Sequence, residues 1–368
     1  MMIIEIIKTE NINTHSEPVH SAILNLFTSF KEGKHILIAP PEFLKIIAKD
    51  EKFGTAIRNS AYSAFENLRE NKSLTNKVNY YCKVDLFSAY AKPEKNEGEK
   101  FFTVGCHFFH DSSSTQRTKL LCEDIRDNQL YTIIARYFQK TQGLNHMNIS
   151  LDVINGGGAN TKINFDEITS RGQFCLCVLD SDKKHPNAGY GGTSKKFLGT
   201  PSPAHAKHFI LESHEIESLI PMETIKIALE TKELEGKFNA AFDALDSIVK
   251  YNPLTKKYFD HKEGLKINDA VKLDEKYKTN FWIDCIENSP GLKRKKCVTK
   301  LECTCKTPCF AINGFSNGFL GAVLPIIEKT SFHNLDSQLN EQIKSEWTAI
   351  GINLFSWGCS PSKRTRSS

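Results

Sequence analysis

The sequence predicts an α/β protein built on an open, mostly parallel sheet that is flanked by helices. Between residues 112 and 221, short apolar stretches follow one another in the order strand, helix, strand, turn, strand, loop, strand. One stretch, Phe174 to Leu179, has six consecutive apolar residues. Such a run is expected of a strand that is buried on both faces of a parallel sheet.

The length of 368 residues predicts more than one domain. We expect an N-terminal α/β scaffold or docking domain at residues 1–112, and a domain with the main sheet and the candidate site at residues 113–232. Residues 233–368 are expected to form a mainly helical C-terminal region with a cysteine cluster and a disordered tail.

The composition is that of a globular protein, with 40% hydrophobic and 25% charged residues. The sequence contains no run of 18 apolar residues, so it predicts no transmembrane helix. Glu5 interrupts the apolar start, which argues against a secretory signal. We therefore expect a cytoplasmic chain with no membrane partner. The net charge of +5 permits a nucleic-acid partner but does not require one.

Acidic residues follow three of the four predicted strands. The strands are expected at residues 119–122, 147–154, 174–179 and 207–211. Glu123 follows the first, Asp180 and Asp182 follow the third, and Glu215 follows the fourth. Because ligands of open α/β sheets bind beyond the carboxyl ends of the strands, we expect these side chains to converge there.

Two further features surround these acids. A helix predicted from about residue 124 would place Glu123 and Asp127, four residues apart, on one face. The second strand ends in Gly156 to Gly158, which allows a backbone or a ligand to approach closely. Clustered carboxylates repel one another unless a cation neutralises them, and hard oxygen ligands suit Mg²⁺ or Mn²⁺. Five or six acidic side chains are enough to bind two metal ions, the arrangement that many enzymes use to cleave phosphodiesters.

Residues 116 to 221 resemble a TOPRIM domain, the metal-binding fold of topoisomerases, bacterial primases and overcoming-lysogenization-defect (OLD) nucleases. That family has an acid after strand one, glycines after strand two, Asp-x-Asp after strand three and an acid after strand four. The second acid Asp127 and the motif Ser213-x-Glu215 resemble the OLD type in particular. The resemblance covers less than a third of the chain.

The chain departs from the OLD pattern because it shows no ATPase domain. Gly192-Thr193-Ser194-Lys195 does not have the spacing of a P-loop. The resemblance therefore implies a stand-alone TOPRIM nuclease, a type found among bacterial anti-phage effectors that often act beside a separate ATPase or other regulatory protein.

The resemblance also implies a mechanism in which metal-bound water attacks a phosphodiester of DNA or RNA. Ions of Mg²⁺ or Mn²⁺ would be held by Glu123, Asp127, Asp180, Asp182 and Glu215, with Ser213 assisting. Glu123, Asp180 and Asp182 would be catalytic together with a lysine that offsets the developing charge. Lys262 is the best counterpart of the OLD lysine, and Lys183 and Lys184 compete for this role.

Four cysteines lie within 13 residues of the C-terminal region, at Cys297, Cys303, Cys305 and Cys309. Their spacing is not that of a standard zinc finger. Four thiols this close nevertheless favour a structural Zn²⁺ ion, and the alternative is a loop of free thiols.

Two other functions stay open at this point. A sugar-nucleotide transferase also uses Asp-x-Asp to hold a metal diphosphate, but it would give Glu123, Asp127 and Glu215 no role. A non-catalytic nucleic-acid-binding or regulatory module with a degenerate site would bind without metal and would not cleave.

Overall fold

The computed structural model describes residues 2–231, 234, 236–290, 292 and 296–361. The predicted disordered tail at 362–368 lies outside the described residues. The strands are β1 (Ile3–Ile7), β2 (Ile36–Ile38), β3 (Tyr81–Asp85), β4 (Phe101–Gly105), β5 (Lys119–Cys122), β6 (Met147–Ile149), β7 (Asp152–Asn155), β8 (Cys175–Leu179), β9 (Ala206–Ile210), β10 (Gly264–Lys266), β11 (Phe310–Asn313) and β12 (Cys359–Pro361). The helices are α1 (Val19–Lys31), α2 (Pro41–Lys49), α3 (Thr55–Glu66), α4 (Leu68–Ser73), α5 (Asp127–Thr141), α6 (Thr161–Ser170), α7 (Gly192–Lys195), α8 (Met222–Leu229), α9 (Asn239–Tyr251), α10 (Thr255–Tyr258), α11 (Ile267–Tyr277), α12 (Phe281–Asn288), α13 (Lys296–Lys300), α14 (Phe319–Lys329), α15 (Phe332–Gln338) and α16 (Glu341–Gly358).

The first sheet has the order β2-β1-β3-β4 and is parallel throughout. Its central strand β1 is rich in isoleucine, a β-branched residue that favours strands. Ile3, Ile4 and Ile6 are buried, whereas Glu5 is half-buried. The apolar start of the chain is therefore an inner strand of a sheet.

The second sheet has the order β7-β5-β8-β9. Strand β5 is parallel to both β7 and β8, and Cys122 at its end pairs with Asn155 on one side and Val178 on the other. All five residues of β8 are buried, as the apolar run predicts. Cys175 and Cys177 point into this core and are fully buried.

The second predicted strand is not continuous, because the chain changes partner within it. Residues before the change form β6, which pairs with β12 in antiparallel fashion. The amide of Ser150 donates to the carbonyl of Gly358 at 2.8 Å, and the amide of Asp152 donates to the carbonyl of Thr118 at 3.0 Å. The prediction of one strand at 147–154 was therefore wrong, since a periodicity of apolar residues does not reveal a change of partner.

The chain divides into two compact units. Unit 1 comprises residues 1–178, 199–209 and 348–368, and unit 2 comprises residues 179–198 and 210–347. In unit 1, one core cluster joins Ile3 and Ile36 to Phe138, Met147 and Phe355. This grouping differs from the three consecutive segments predicted from the sequence, because residues far apart in the chain bury their side chains in the same core.

Unit 2 is mainly helical and contains the antiparallel pair β10-β11. Its core includes Trp282 and Trp347, and the indole of Trp347 donates to the carbonyl of Leu219 at 3.1 Å. The prediction of an α/β chain with parallel sheets, flanking helices and a helical C-terminal region with a cysteine cluster is confirmed at this level. Within the described parts of the chain, we find no helix with the length and apolar character needed to cross a bilayer.

Candidate functional site

The predicted site residues belong to both units. Glu123 and Asp127 lie in unit 1. Unit 2 contains Asp180, Asp182, Ser213, Glu215, Lys262 and the four clustered cysteines.

In unit 1, Glu123 and Asp127 do not share a helix face, contrary to the prediction. Helix α5 begins at Asp127, and Glu123 lies in the bend that precedes it. Asp127 is buried, and its Oδ2 accepts a hydrogen bond from the amide of Asp124 at 3.1 Å. This carboxylate therefore stabilises the turn into the helix, where negative charge is also favoured by the helix dipole.

The glycines after β7 allow a close approach of two backbone segments. The amide of Gly156 donates to the carbonyl of Cys122 at 2.6 Å. A Cβ atom at this position would lie 2.7 Å from the same oxygen. Gly157 and Gly158 have φ angles of 68° and 57°, a left-handed conformation that residues other than glycine rarely adopt. Gly156 therefore allows the loop to pack against the end of β5, and Gly157 and Gly158 allow the left-handed backbone that follows.

In unit 2, the Asp-x-Asp motif and the Ser-x-Glu motif run side by side. The amide of Asp182 donates to the carbonyl of His214 at 2.9 Å. The hydroxyl of Ser181, which is fully buried, donates to the carbonyl of Ser213 at 2.6 Å. These bonds hold together two motifs whose bonded residues are 32 positions apart in the sequence.

Asp182 has a left-handed backbone with φ 55° and an exposed side chain. Outside glycine this conformation is uncommon, although aspartate tolerates it better than most residues. The loop that follows returns to the motif, where the amide of Gly191 donates to the carbonyl of Ser181 at 2.9 Å. A Cβ atom at residue 191 would lie 2.0 Å from Oδ2 of Asp182. Glycine is therefore needed at 191 for the carboxylate to keep its place.

Ser213 is held by Glu346 of α16. Its amide donates to Oε1 at 2.9 Å and its hydroxyl donates to Oε2 at 2.6 Å. Both residues are buried. The hydroxyl hydrogen of Ser213 is thus directed to Glu346, and only its oxygen lone pairs remain to assist a metal ion, the role predicted from the sequence.

Lys262 lies between two buried glutamates. Its Nζ is 3.2 Å from Oε2 of Glu215 and 3.2 Å from Oε1 of Glu217. The other oxygen of Glu215 accepts a hydrogen bond from the amide of His261 at 2.6 Å. A lysine thus supplies opposite charge to these carboxylates, which the sequence predicted only for a metal ion.

The electrostatics of this group follow from burial and from the charges that it brings together. Burial opposes the charged form of Lys262, but Glu215 and Glu217, and then Asp180, raise its pKa above the ordinary range. Burial and the neighbouring Glu215 raise the pKa of Glu217 to about 7. Burial also opposes ionisation of Glu215, but His261 and Lys262 outweigh it and lower its pKa.

Asp260 organises the loop that carries Lys262. Its Oδ1 accepts hydrogen bonds from the amides of Lys262 at 3.1 Å and Glu263 at 2.7 Å. Its Oδ2 lies 2.8 Å from Nζ of Lys184 and 3.6 Å from Nε2 of His214. Although burial opposes its ionisation, the neighbouring His214 and Lys184 lower the pKa of Asp260 well below its ordinary range.

His214, Glu215 and Asp260 form a group that could hold a metal ion, since one ligand atom of each lies within 4.8 Å of the others. Among the described residues, no hydrogen-bond partner is found for the buried atoms Nδ1 of His214 and Oε2 of Glu217. Buried polar atoms are normally hydrogen-bonded, so these two atoms are candidate contacts for a water molecule or an ion.

The four clustered cysteines could also hold a metal ion, because their sulfur atoms all lie within 4.8 Å of one another. Sγ of Cys297 is 3.7 Å from Sγ of Cys305. The amide of Cys309 donates to Sγ of Cys303 at 3.3 Å. Backbone hydrogen bonds from Cys309 and Cys305 lower the pKa of the Cys303 thiol to about 7.

Comparison with known proteins gives no relative on which a function could be based. No family model matches the chain, and searches of curated proteins and of solved structures gave no significant match. The function must therefore be inferred from the residues themselves.

Sequence reasoning missed several members of the site in unit 2. Glu217 and His214 flank the predicted Glu215, and Asp260 lies in the polar turn that contained the predicted Lys262. A search for polar residues within two positions of Glu215 and Lys262 would have found these three. Glu346 had no such signal, because it reaches Ser213 from a helix 133 residues further along the chain.

Proposed function

We propose that the chain is a metal-dependent nuclease that hydrolyses phosphodiester bonds of DNA or RNA at a TOPRIM-type site. The observation that carries the proposal is the alignment of the Asp-x-Asp motif with the Ser-x-Glu motif in unit 2. The strand order β7-β5-β8-β9, with acidic residues after β5, β8 and β9, also supports it.

The proposed ligands of Mg²⁺ or Mn²⁺ in unit 2 are Asp180, Asp182 and Glu215. Glu217 lies in the same loop as Glu215, and Asp260 lies in the loop that carries Lys262. Lys262 contacts Glu215 and Glu217, and Lys184 contacts Asp260. Clustered carboxylates repel one another, and a divalent cation bound among them relieves this repulsion. Glu123 and Asp127 are the acids that unit 1 contributes to the proposal.

Lys262 is the proposed catalytic lysine. Asp180 and Glu215, one acid from each motif, both raise its pKa, so its ammonium group is charged and faces the proposed ligands. A fixed positive charge there would stabilise the negative charge that develops on a phosphate during hydrolysis. Lys184 is less suited, because its ion pairs are with Asp260 and Glu263, which lie outside the two motifs.

The proposal includes a structural Zn²⁺ ion at the four cysteines and a nucleic-acid substrate. A separate ATPase or regulatory protein is the proposed partner, and defence against phage is the proposed biological role. These last two parts rest on the resemblance to OLD-type nucleases alone.

The test is cleavage of plasmid DNA, single-stranded DNA and transfer RNA by the full chain in Mg²⁺ or Mn²⁺. We expect cleavage that a chelator abolishes and that Asp180→Ala lowers at least 100-fold. Asp166→Ala is the matched control, because Asp166 is an exposed acid on α6. Calorimetry should show Mn²⁺ binding to the wild type and weaker binding to Asp180→Ala. Absence of both cleavage and metal binding would refute the proposal.

The same assay separates the proposal from its rivals. A sugar-nucleotide transferase would hydrolyse no nucleic acid and would tolerate Glu123→Ala, whereas we expect this change to abolish cleavage. A non-catalytic binding module would retain affinity for nucleic acid in the presence of a chelator and would leave every substrate intact.

A further inference from the structure

We propose that a zinc ion in the cysteine cluster fixes the loop at residues 260–263, which carries Asp260 and Lys262. Zinc binding itself does not depend on the proposed hydrolysis. Only the catalytic role of Lys262, which the loop carries, rests on the proposed function. Three features of unit 2 support the connection: the sulfur geometry, the attachment of the cluster, and the strand that joins it to the loop.

The sulfur geometry fits a tetrahedral site. With a Zn–S distance of about 2.3 Å, two ligands of a tetrahedron are about 3.8 Å apart. The separation of 3.7 Å between Sγ of Cys297 and Sγ of Cys305 agrees with this value, and all four sulfur atoms lie within 4.8 Å of one another. Four thiolates are a donor set typical of structural zinc.

The cluster is attached to α11 by a pair of hydrogen bonds. The amide of Cys303 donates to Oδ1 of Asn268 at 2.9 Å, and Nδ2 of Asn268 donates to the carbonyl of Cys303 at 2.8 Å. The amide of Ile267 donates to the carbonyl of Cys309 at 3.1 Å. These bonds pre-arrange the ligand loop, which lowers the entropic cost of binding an ion.

Strand β11 connects the cluster to the loop that carries Lys262. It begins directly after Cys309 and pairs with β10, which directly follows the loop. At the other end of β11, the amide of Phe315 donates to the carbonyl of His261 at 2.6 Å, and the amide of Ser316 donates to the carbonyl of Lys262 at 3.2 Å. A displacement of β11 would therefore move the backbone of the loop.

Two glycines make this contact tight. A Cβ atom on Gly314 would lie 2.3 Å from the carbonyl oxygen of Lys262, and one on Gly264 would lie 2.4 Å from the amide nitrogen of Gly314. The backbone of the loop is thus in direct contact with Gly314, the residue that follows β11. Loss of the ion at one end of β11 is expected to loosen the loop at the other.

The experiment measures zinc content and hydrogen exchange of the full chain. We expect about one zinc ion per chain, and at least ten-fold faster exchange at residues 310–316 in Cys305→Ser, which loses the ion. Cys305 is exposed, so the change removes a ligand with little cost to the core. Thr304→Ala, an exposed neighbour, is the matched control and should behave as the wild type.

A second arm uses the wild type, in case Cys305→Ser fails to fold. Removal of zinc by a chelator should release the protection of residues 310–316, and added Zn²⁺ should restore it, while β8 stays protected. Gly314→Ala should keep the zinc ion but exchange faster at the same residues, whereas Gly318→Ala, which has no atom within 4 Å of the new Cβ, should not. A chain without zinc, or zinc loss that leaves the exchange unchanged, would overturn the inference. Neither readout requires cleavage, so its failure is distinguishable from failure of the proposed function.

Discussion

The carboxylate of Glu346 accepts both polar hydrogens of Ser213, from the amide at 2.9 Å and from the hydroxyl at 2.6 Å. Ser213 begins the motif that ends in Glu215, and its carbonyl in turn accepts the hydroxyl of Ser181. Glu346 therefore fixes one acidic motif directly and the other through a single intermediate. We infer that it is a positioning residue.

Replacement of Glu346 by glutamine should destabilise the chain by about 2 kcal/mol. An amide has only one acceptor oxygen, so one of the two Ser213 donors loses its partner inside the protein. The free energy of unfolding in urea measures this effect. Glu341→Gln, at an exposed position of the same helix, is the control and should change it by less than about 0.5 kcal/mol. Equal effects of the two changes would show that the contact contributes nothing.

Removal of the Lys262 charge should also destabilise the chain. Lys262→Met leaves Glu215 and Glu217 buried without the cation that lies 3.2 Å from each. Since 33% of the Lys262 side chain is exposed, we expect about 2 kcal/mol rather than the larger cost of breaking a fully buried pair. Lys250→Met is the control, because 75% of that side chain is exposed. A wild-type unfolding curve for Lys262→Met would contradict the prediction.

A methyl group at residue 191 should weaken metal binding without altering any charge. The new Cβ would lie 2.0 Å from Oδ2 of Asp182, so that carboxylate must move. We expect Gly191→Ala to lower Mn²⁺ affinity at least ten-fold in calorimetry. Gly189→Ala in the same loop, with no atom within 4 Å of its Cβ, should keep the wild-type affinity. Unchanged affinity in Gly191→Ala would argue against Asp182 as a ligand.

The sequence predicts the local features of this protein well, because they depend on neighbouring residues. Six apolar residues in a row sufficed to identify the buried strand β8, and an Asp-x-Asp motif after it located one part of the candidate site. The start of α5 at Asp127, three residues later than expected, depends on a turn that the helical periodicity does not encode. Because α5 begins at Asp127, Glu123 lies outside the helix and the two residues share no helix face.

Long-range features could not be predicted in the same way. The exchange of partners between β6 and β7 depends on β12, which lies more than 200 residues further along the chain. The contact between Ser213 and Glu346 likewise depends on how the first turns of α16 pack within unit 2. Tertiary packing decides such pairings, and the neighbouring residues in the sequence do not indicate them.

Lys256 should make the stability of the chain depend on pH. It is 3% exposed, its ammonium donates to the carbonyl of Ser218, and burial lowers its pKa from 10.5 to about 7. Between these two values the unfolded chain binds a proton that the folded chain has released, so this group makes stability rise with pH. Lys256→Met removes that dependence.

We therefore expect the stability of Lys256→Met, relative to that of the wild type, to be highest below pH 7. Its advantage should shrink by roughly 1 kcal/mol for each pH unit above 7, because the wild type gains stability as its buried ammonium group loses its proton. Urea unfolding at pH 6.5, 7.5 and 8.5 measures this difference. For the exposed Lys226→Met the difference should be the same at all three values. A pH-independent difference for Lys256→Met would mean that Lys256 keeps its charge in the folded chain, held by the nearby carboxylate of Glu346.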